Sequence, residues 1–186
     1  MGTKRIHVSL NSGSINNALQ EIERYKQDLI KKNAVFAERL KQYGIEVVNS
    51  YMKDIPNPTG GRDSITEGTS DYWSFDTRKS SATSSGVVAT AIINVDGKRL
   101  LYVEFGYGVL AVGSPHPTGL YGAGTNSPAG HGTDPDGWWY SGADGDGNRK
   151  SFHTRGDVAY APVWKTALYL RNRKDMIRAI AREVFG

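Results

Sequence analysis

Apolar residues recur between positions 14 and 52 on a four-three rhythm: Ile15, Leu19, Ile22, Leu29, Phe36, Leu40, Tyr43 and Val47. Lys26 and Asn33 stand where two further apolar residues are due. Such spacing lays one greasy stripe along a helix. Ser14 offers an N-cap at its start, Glu21 and Glu23 fall in its early turns, and Gly44 interrupts an otherwise good helical composition. At about 1.5 Å per residue, a helix of about 38 residues reaches roughly 57 Å, longer than a domain of this size is wide. Part of the stripe is therefore expected to cover a sheet, to bend near Gly44, or to meet another subunit. Ahead of the helix, Ile6, Val8 and Leu10 alternate with polar neighbours, the period of a short half-buried strand.

Beyond the helix the pattern breaks. Residues 54–85 carry Pro56, Pro58, Gly60, Gly61 and a Ser/Thr run, the composition of a connector, with aromatic content only at 71–78. Residues 87–95 and 98–105 are rich in β-formers and are joined by Asp96-Gly97, which predicts a hairpin over 87–105. Residues 106–147 hold more than half of the chain's 22 glycines and read as one long Gly-rich loop. A loop of that length is usually functional or ordered by a partner. A further strand is expected at 138–140 or 151–153. Pro162 suits the first turn of a C-terminal helix over 162–185. The predicted fold class is α+β, a single domain over residues 1–186. A mostly antiparallel sheet of about four strands would be covered by the long N-terminal helix and the C-terminal helix, with long Gly-rich loops.

Composition narrows the chemistry. The 186 residues contain no cysteine, which removes disulfides, thiolate metal sites and cysteine nucleophiles. No apolar run is long enough to span a bilayer, so no membrane association is expected, and the first ten residues lack the apolar core of a secretory leader. The net charge of +4 is unevenly spread, with both ends positive and the middle negative. On the last helix Arg171, Arg173, Lys174 and Arg178 form a basic face that would suit nucleic-acid phosphates, or, paired with Asp175, a solvated surface.

Candidate reactive groups are few. Residues 144–148, Asp-Gly-Asp-Gly-Asn, begin like a calcium loop, but the sixth and twelfth positions are Arg149 and Arg155 where glycine and glutamate are required, so a turn is expected. His116, His131 and His153, with Asp134, Asp136 and Asp157, show no metal-ligand spacing and lie among glycines; loop surface is the expectation. No phosphate-binding loop and no nucleophile elbow is present. The reading is therefore non-enzymatic, with no catalytic, cofactor-binding or metal residues and no cofactor. A rival reading from another class takes His131, Asp134 and His153, beside Trp138 and Trp139, as a cell-wall hydrolase site. The aromatic cluster itself is expected in a core or a subunit interface.

Residues 101–108, Leu-Tyr-Val-Glu-Phe-Gly-Tyr-Gly, residues 160–167, Tyr-Ala-Pro-Val-Trp-Lys-Thr-Ala, and the closing Ile180-Ala-Arg-Glu-Val-Phe185 resemble the tail-completion or neck proteins of tailed phages, products of the head–tail joining gene cluster. In that family a strand ends in a similar Glu-Phe-Gly turn, and a Pro-led motif opens the last helix. Tyr107 here replaces a usually small residue. The resemblance implies a virion structural protein, assembled in the host cytoplasm into a homo-oligomeric ring, by resemblance a hexamer, at the head–tail junction. Its partners would be the head connector or adaptor and the tail tube or terminator, with non-specific contact to packaged DNA; the tail terminator itself is the alternative role. The resemblance points to Glu104, Phe105, Gly106, Gly108 and Pro162 as motif residues, with Phe105 expected in the core and Gly106 in a conformation that a side chain would hinder.

Overall fold

The structure, a computed structural model, describes residues 9, 11–55, 75–97, 100–119, 135–143 and 148–186. The strand expected at 6–10 apart from Ser9, residues 56–74 of the 54–85 connector, His131, Asp134 and residues 144–147 of the Asp-Gly turn lie outside them. The protein is α+β, and its elements divide between two compact units.

One unit holds residues 1–45, 79–94 and 170–186. Its spine is the first part of α1 (Ser12–Lys53), a continuous helix of 42 residues that runs through Gly44. The start differs from expectation, since Asn11 rather than Ser14 is the cap: Asn11 Oδ1 accepts the Ser14 amide at 2.8 Å. Ser14 instead accepts the Ser9 amide on its hydroxyl at 2.9 Å. Against the spine lies an antiparallel pair, β1 (Ser81–Ser84) and β2 (Ala89–Ile92), in the register Ser84↔Ala89 to Ser81↔Ile92. The polar residue in the stripe, Asn33, is buried and donates its Nδ2–H to the Gly86 carbonyl in the turn of this hairpin at 3.1 Å. Gly44 is the close-approach point, because a Cβ there would sit 2.6 Å from Ile93 Cγ1. Helix α5 (Lys174–Phe185) joins α1 through a Phe36–Phe185 edge contact at 5.7 Å and an Arg39–Glu183 ion pair at 2.9 Å. Further toward the start of α1, the stripe residues Ile15, Leu19 and Ile22 are exposed.

The hairpin prediction over 87–105 is corrected here. Its first arm pairs with residues taken for connector, and its second arm is helical, α2 (Leu100–Phe105). Asp96, expected in the hairpin turn, instead exchanges both backbone hydrogen bonds with Asp76 at 2.8 Å, and the Gly97 carbonyl accepts the Leu100 amide at the start of the helical turn. Burial along α2 is helical as well, with Val103 and Glu104 buried and Leu101 and Tyr102 exposed, not alternating.

The other unit holds residues 46–78 and 95–169. Its buried side chains include Val47, Val48, Val103, Ala111, Ala161 and Pro162. The expected Gly-rich loop contains a helix, α3 (Gly108–Gly113), and ends in a strand, β3 (Trp138–Ala143), which pairs antiparallel with β4 (Arg149–Thr154). A two-residue strand, β5 (Gly156–Asp157), bridges to Tyr107 and Gly108. The strands thus form two separate two-stranded sheets among the described residues, not one of four. The C-terminal helix is also two helices, α4 (Pro162–Asn172) and α5, which part at Arg173 with φ −99° and ψ 52°. Among the described residues no helix is long and apolar enough to cross a membrane.

Candidate functional site

Helix α4 begins without a side-chain cap of its own, because Ala161 precedes Pro162. A helix start leaves four amides without intrahelical partners. Here every one is accounted for. Pro162 has no N–H, and the Ala161 amide reaches the Val103 carbonyl at 3.4 Å. The Val163 amide donates to Glu104 Oε2 at 2.8 Å and the Trp164 amide to Glu104 Oε1 at 2.9 Å. One carboxylate from α2 therefore caps α4 from 59 and 60 positions away in sequence. An anion at this end also meets the positive pole of the helix dipole.

Glu104 is 7% exposed, and burial of a charge requires such partners. A third comes from His116, itself 3% exposed, whose Nε2–H lies 3.2 Å from Glu104 Oε1. The other ring nitrogen, Nδ1, accepts the Thr118 amide at 3.2 Å and lies 2.7 Å from the Thr118 hydroxyl. An amide can only donate, so this contact assigns the ring proton to Nε2, where it points at the carboxylate. Phe105 and Trp164 shield the imidazole, with ring centroids 4.9 Å and 6.0 Å away.

The backbone around this centre is fitted closely. The Val103 carbonyl accepts the Tyr160 amide at 3.0 Å and the Ala161 amide at 3.4 Å. Gly106, with φ +70°, ends α2 in a left-handed turn and returns its amide to the Tyr102 carbonyl at 2.7 Å. A Cβ on Gly106 would lie 2.7 Å from Ala159 N and 2.8 Å from Asp157 O. At Gly156, φ +88°, a Cβ would overlap the Tyr107 carbonyl. Asp157 Oδ1 accepts the Val158 amide at 2.8 Å and the Tyr160 hydroxyl at 3.0 Å. Burial first, and then the Asp157 carboxylate, push the Tyr160 phenol up to about 12.

Of the motif residues, Glu104, Phe105, Gly106, Gly108 and Pro162 all fall in this assembly. Glu104, not Phe105, holds the buried position; Phe105 is half-buried against His116. Trp139 stands elsewhere on β3, 70% exposed, with its ring 5.0 Å from that of its cross-strand neighbour His153, so it is not a core residue. Trp138 pairs with Thr154. Arg171, Lys174 and Arg178 are exposed, while Arg173 is held by Asp175 at 3.0 Å. His116 corrects the loop-surface expectation, since it is enclosed and bonded through both nitrogens. Sequence reasoning missed Thr118 and the Tyr160 hydroxyl, and it set Asp157 aside as loop surface, where its carboxylate instead accepts the Tyr160 hydroxyl. The available signals were a lone glutamate inside an apolar run and a helix start with no capping side chain. Among the described residues no group of three or more His, Asp or Glu side chains is placed to hold a metal ion.

The arrangement works as a latch. Both carboxylate oxygens and both imidazole nitrogens are engaged in holding α2, the 116–118 turn and the start of α4 together. Compared with family models, with curated proteins and with solved structures, the chain finds no match in any of the three.

Proposed function

We propose that this chain is a non-enzymatic structural subunit of a tailed-phage particle, a head–tail joining protein that assembles as a ring between the head connector and the tail tube. The observation that carries the reading is the meeting of the two motif segments. Residues 101–108 and 160–167 resemble the neck proteins independently, and they are tied to each other by the Glu104 carboxylate and the Val103 carbonyl. The exposure of Ile15, Leu19 and Ile22 on the α1 stripe supports the ring, since apolar helix surface of this kind is commonly covered by other copies.

Native mass spectrometry of the purified chain, with electron micrographs of the same sample, tests the reading. Closed rings are expected, of about six copies if the resemblance to the neck proteins holds. A chain that stays monomeric at every concentration, and is missing from purified particles of its phage, overturns it.

A further inference from the structure

Three exposed cations form a row on α5: Lys174, Arg178 and Arg182. Their i, i+4, i+8 spacing puts them within an arc of roughly 80° on one helix face, about 6 Å apart along the axis. The bland explanation for such a row is neutralisation by acidic neighbours on the same helix. The structure uses those neighbours elsewhere. Asp175 is taken by Arg173, with Nε at 3.0 Å and a second guanidinium nitrogen at 3.0 Å. Glu183 is taken by Arg39 on α1 at 2.9 Å. These are the two acids of α5, so the row carries about three positive charges with no acid of its own helix left to offset them.

We infer that Lys174, Arg178 and Arg182 bind the phosphate backbone of duplex DNA, and that Arg173 does not take part. The row spans about 12 Å, the length over which one strand of a duplex presents three to four phosphates. Each cation can thus face one phosphate without deforming the helix. The row has no aromatic residue interleaved between its cations, so the contact reads charge and not base sequence. The inference stands on α5 alone and does not require the ring; in a ring it would repeat the row once per copy around a shared duplex.

The test is a salt titration. Binding of the full chain to a labelled mixed-sequence duplex is followed by fluorescence anisotropy from about 50 to 200 mM salt, where each phosphate contact contributes about −0.9 to the slope of log K against log salt. Replacing Lys174, Arg178 and Arg182 together by Gln should make the slope shallower by about 2.7, so that the wild type loses about 40-fold more affinity over that range than the variant does. Replacing Arg173 by Gln together with Asp175 by Asn, so that no freed carboxylate turns to the row, should leave the slope unchanged. Arg178→Gln alone should remove about 0.9, which keeps the test decisive should the triple variant fold poorly. An unaltered slope in the variants, no binding at the lowest salt, or stronger retention on vesicles rich in anionic lipid than on DNA would each overturn the inference. Native mass spectrometry of the triple variant separates the two readings. Intact rings with wild-type salt dependence defeat only the DNA contact, and DNA-binding monomers defeat only the ring.

Discussion

Replacing Glu104 by Gln perturbs the latch at a single group while keeping its size. The amide side chain offers one oxygen, which can serve either the Val163 or the Trp164 amide, and turns an NH2 toward the other. One buried donor is then stranded, a cost of about 1–3 kcal/mol, and the surviving bond falls from charge-assisted to neutral, a loss of about 1 kcal/mol. The helix start also loses its anion, worth about 0.3–1 kcal/mol. Together these give about 2–5 kcal/mol, a large part of the 5–15 kcal/mol that typically holds a domain folded. Glu104→Ala should cost more, since it also leaves His116 Nε2 without its acceptor. Urea unfolding followed by tryptophan fluorescence reads the change, with Trp164 next to the imidazole as a local reporter. A lower midpoint at unchanged slope is expected. Amide exchange at Val163 and Trp164 should accelerate in step. A destabilisation below about 0.5 kcal/mol, the level of an indifferent surface change, together with unchanged exchange at Trp164, would refute the latch.

Gly156→Ala forces a Cβ into the Tyr107 carbonyl at a left-handed residue, so a loss of more than about 3 kcal/mol, or failure to fold, is expected by circular dichroism and urea titration. Asn33→Ala removes the donor that satisfies the Gly86 carbonyl and should cost about 1–2 kcal/mol, with faster amide exchange in the β1–β2 turn. Tyr160 is held protonated in the folded state up to about 12, whereas an unfolded tyrosine releases its proton near 10. The unfolded chain therefore binds fewer protons in that window, and stability should fall as pH rises through it. Equilibrium unfolding at several alkaline pH values should show a shallower fall in Tyr160→Phe.

The long helix and the helical close were legible because their apolar residues repeat over many turns, and periodicity accumulates evidence with length. Residues 100–105 were not. Six residues of Leu, Tyr, Val, Glu and Phe suit either a strand or a helix, and the choice was made by Gly106, whose left-handed turn closes α2, and by Asp76, which occupies the backbone of Asp96. The β1–β2 pair was obscured for a different reason: Ser, Ala and Thr have small side chains, and what places them is packing on α1 through Gly86 and Asn33, contacts remote in sequence. At the site, each half was visible alone. Glu104 in an apolar run lacks a partner, and Pro162 opens a helix lacking an acceptor; only folding shows that each need answers the other. His116 gave no such clue, because proline neighbours on both sides make it read as an exposed turn.

Between Val103–Glu104 and Tyr160–Trp164 the polypeptide leaves the clamp and returns to it, and a second seam, where Tyr107 and Gly108 meet Gly156 and Asp157, closes the same excursion just inside. Once both ends are fastened, extending what lies between them is inexpensive: doubling such a loop adds only about 0.6 kcal/mol. The molecule thus has a built-in cassette. Selection, or a protein engineer, is free to swap its contents to suit a new neighbour, provided the hinge-pins on either side, and His116 and Thr118 between them, are left untouched.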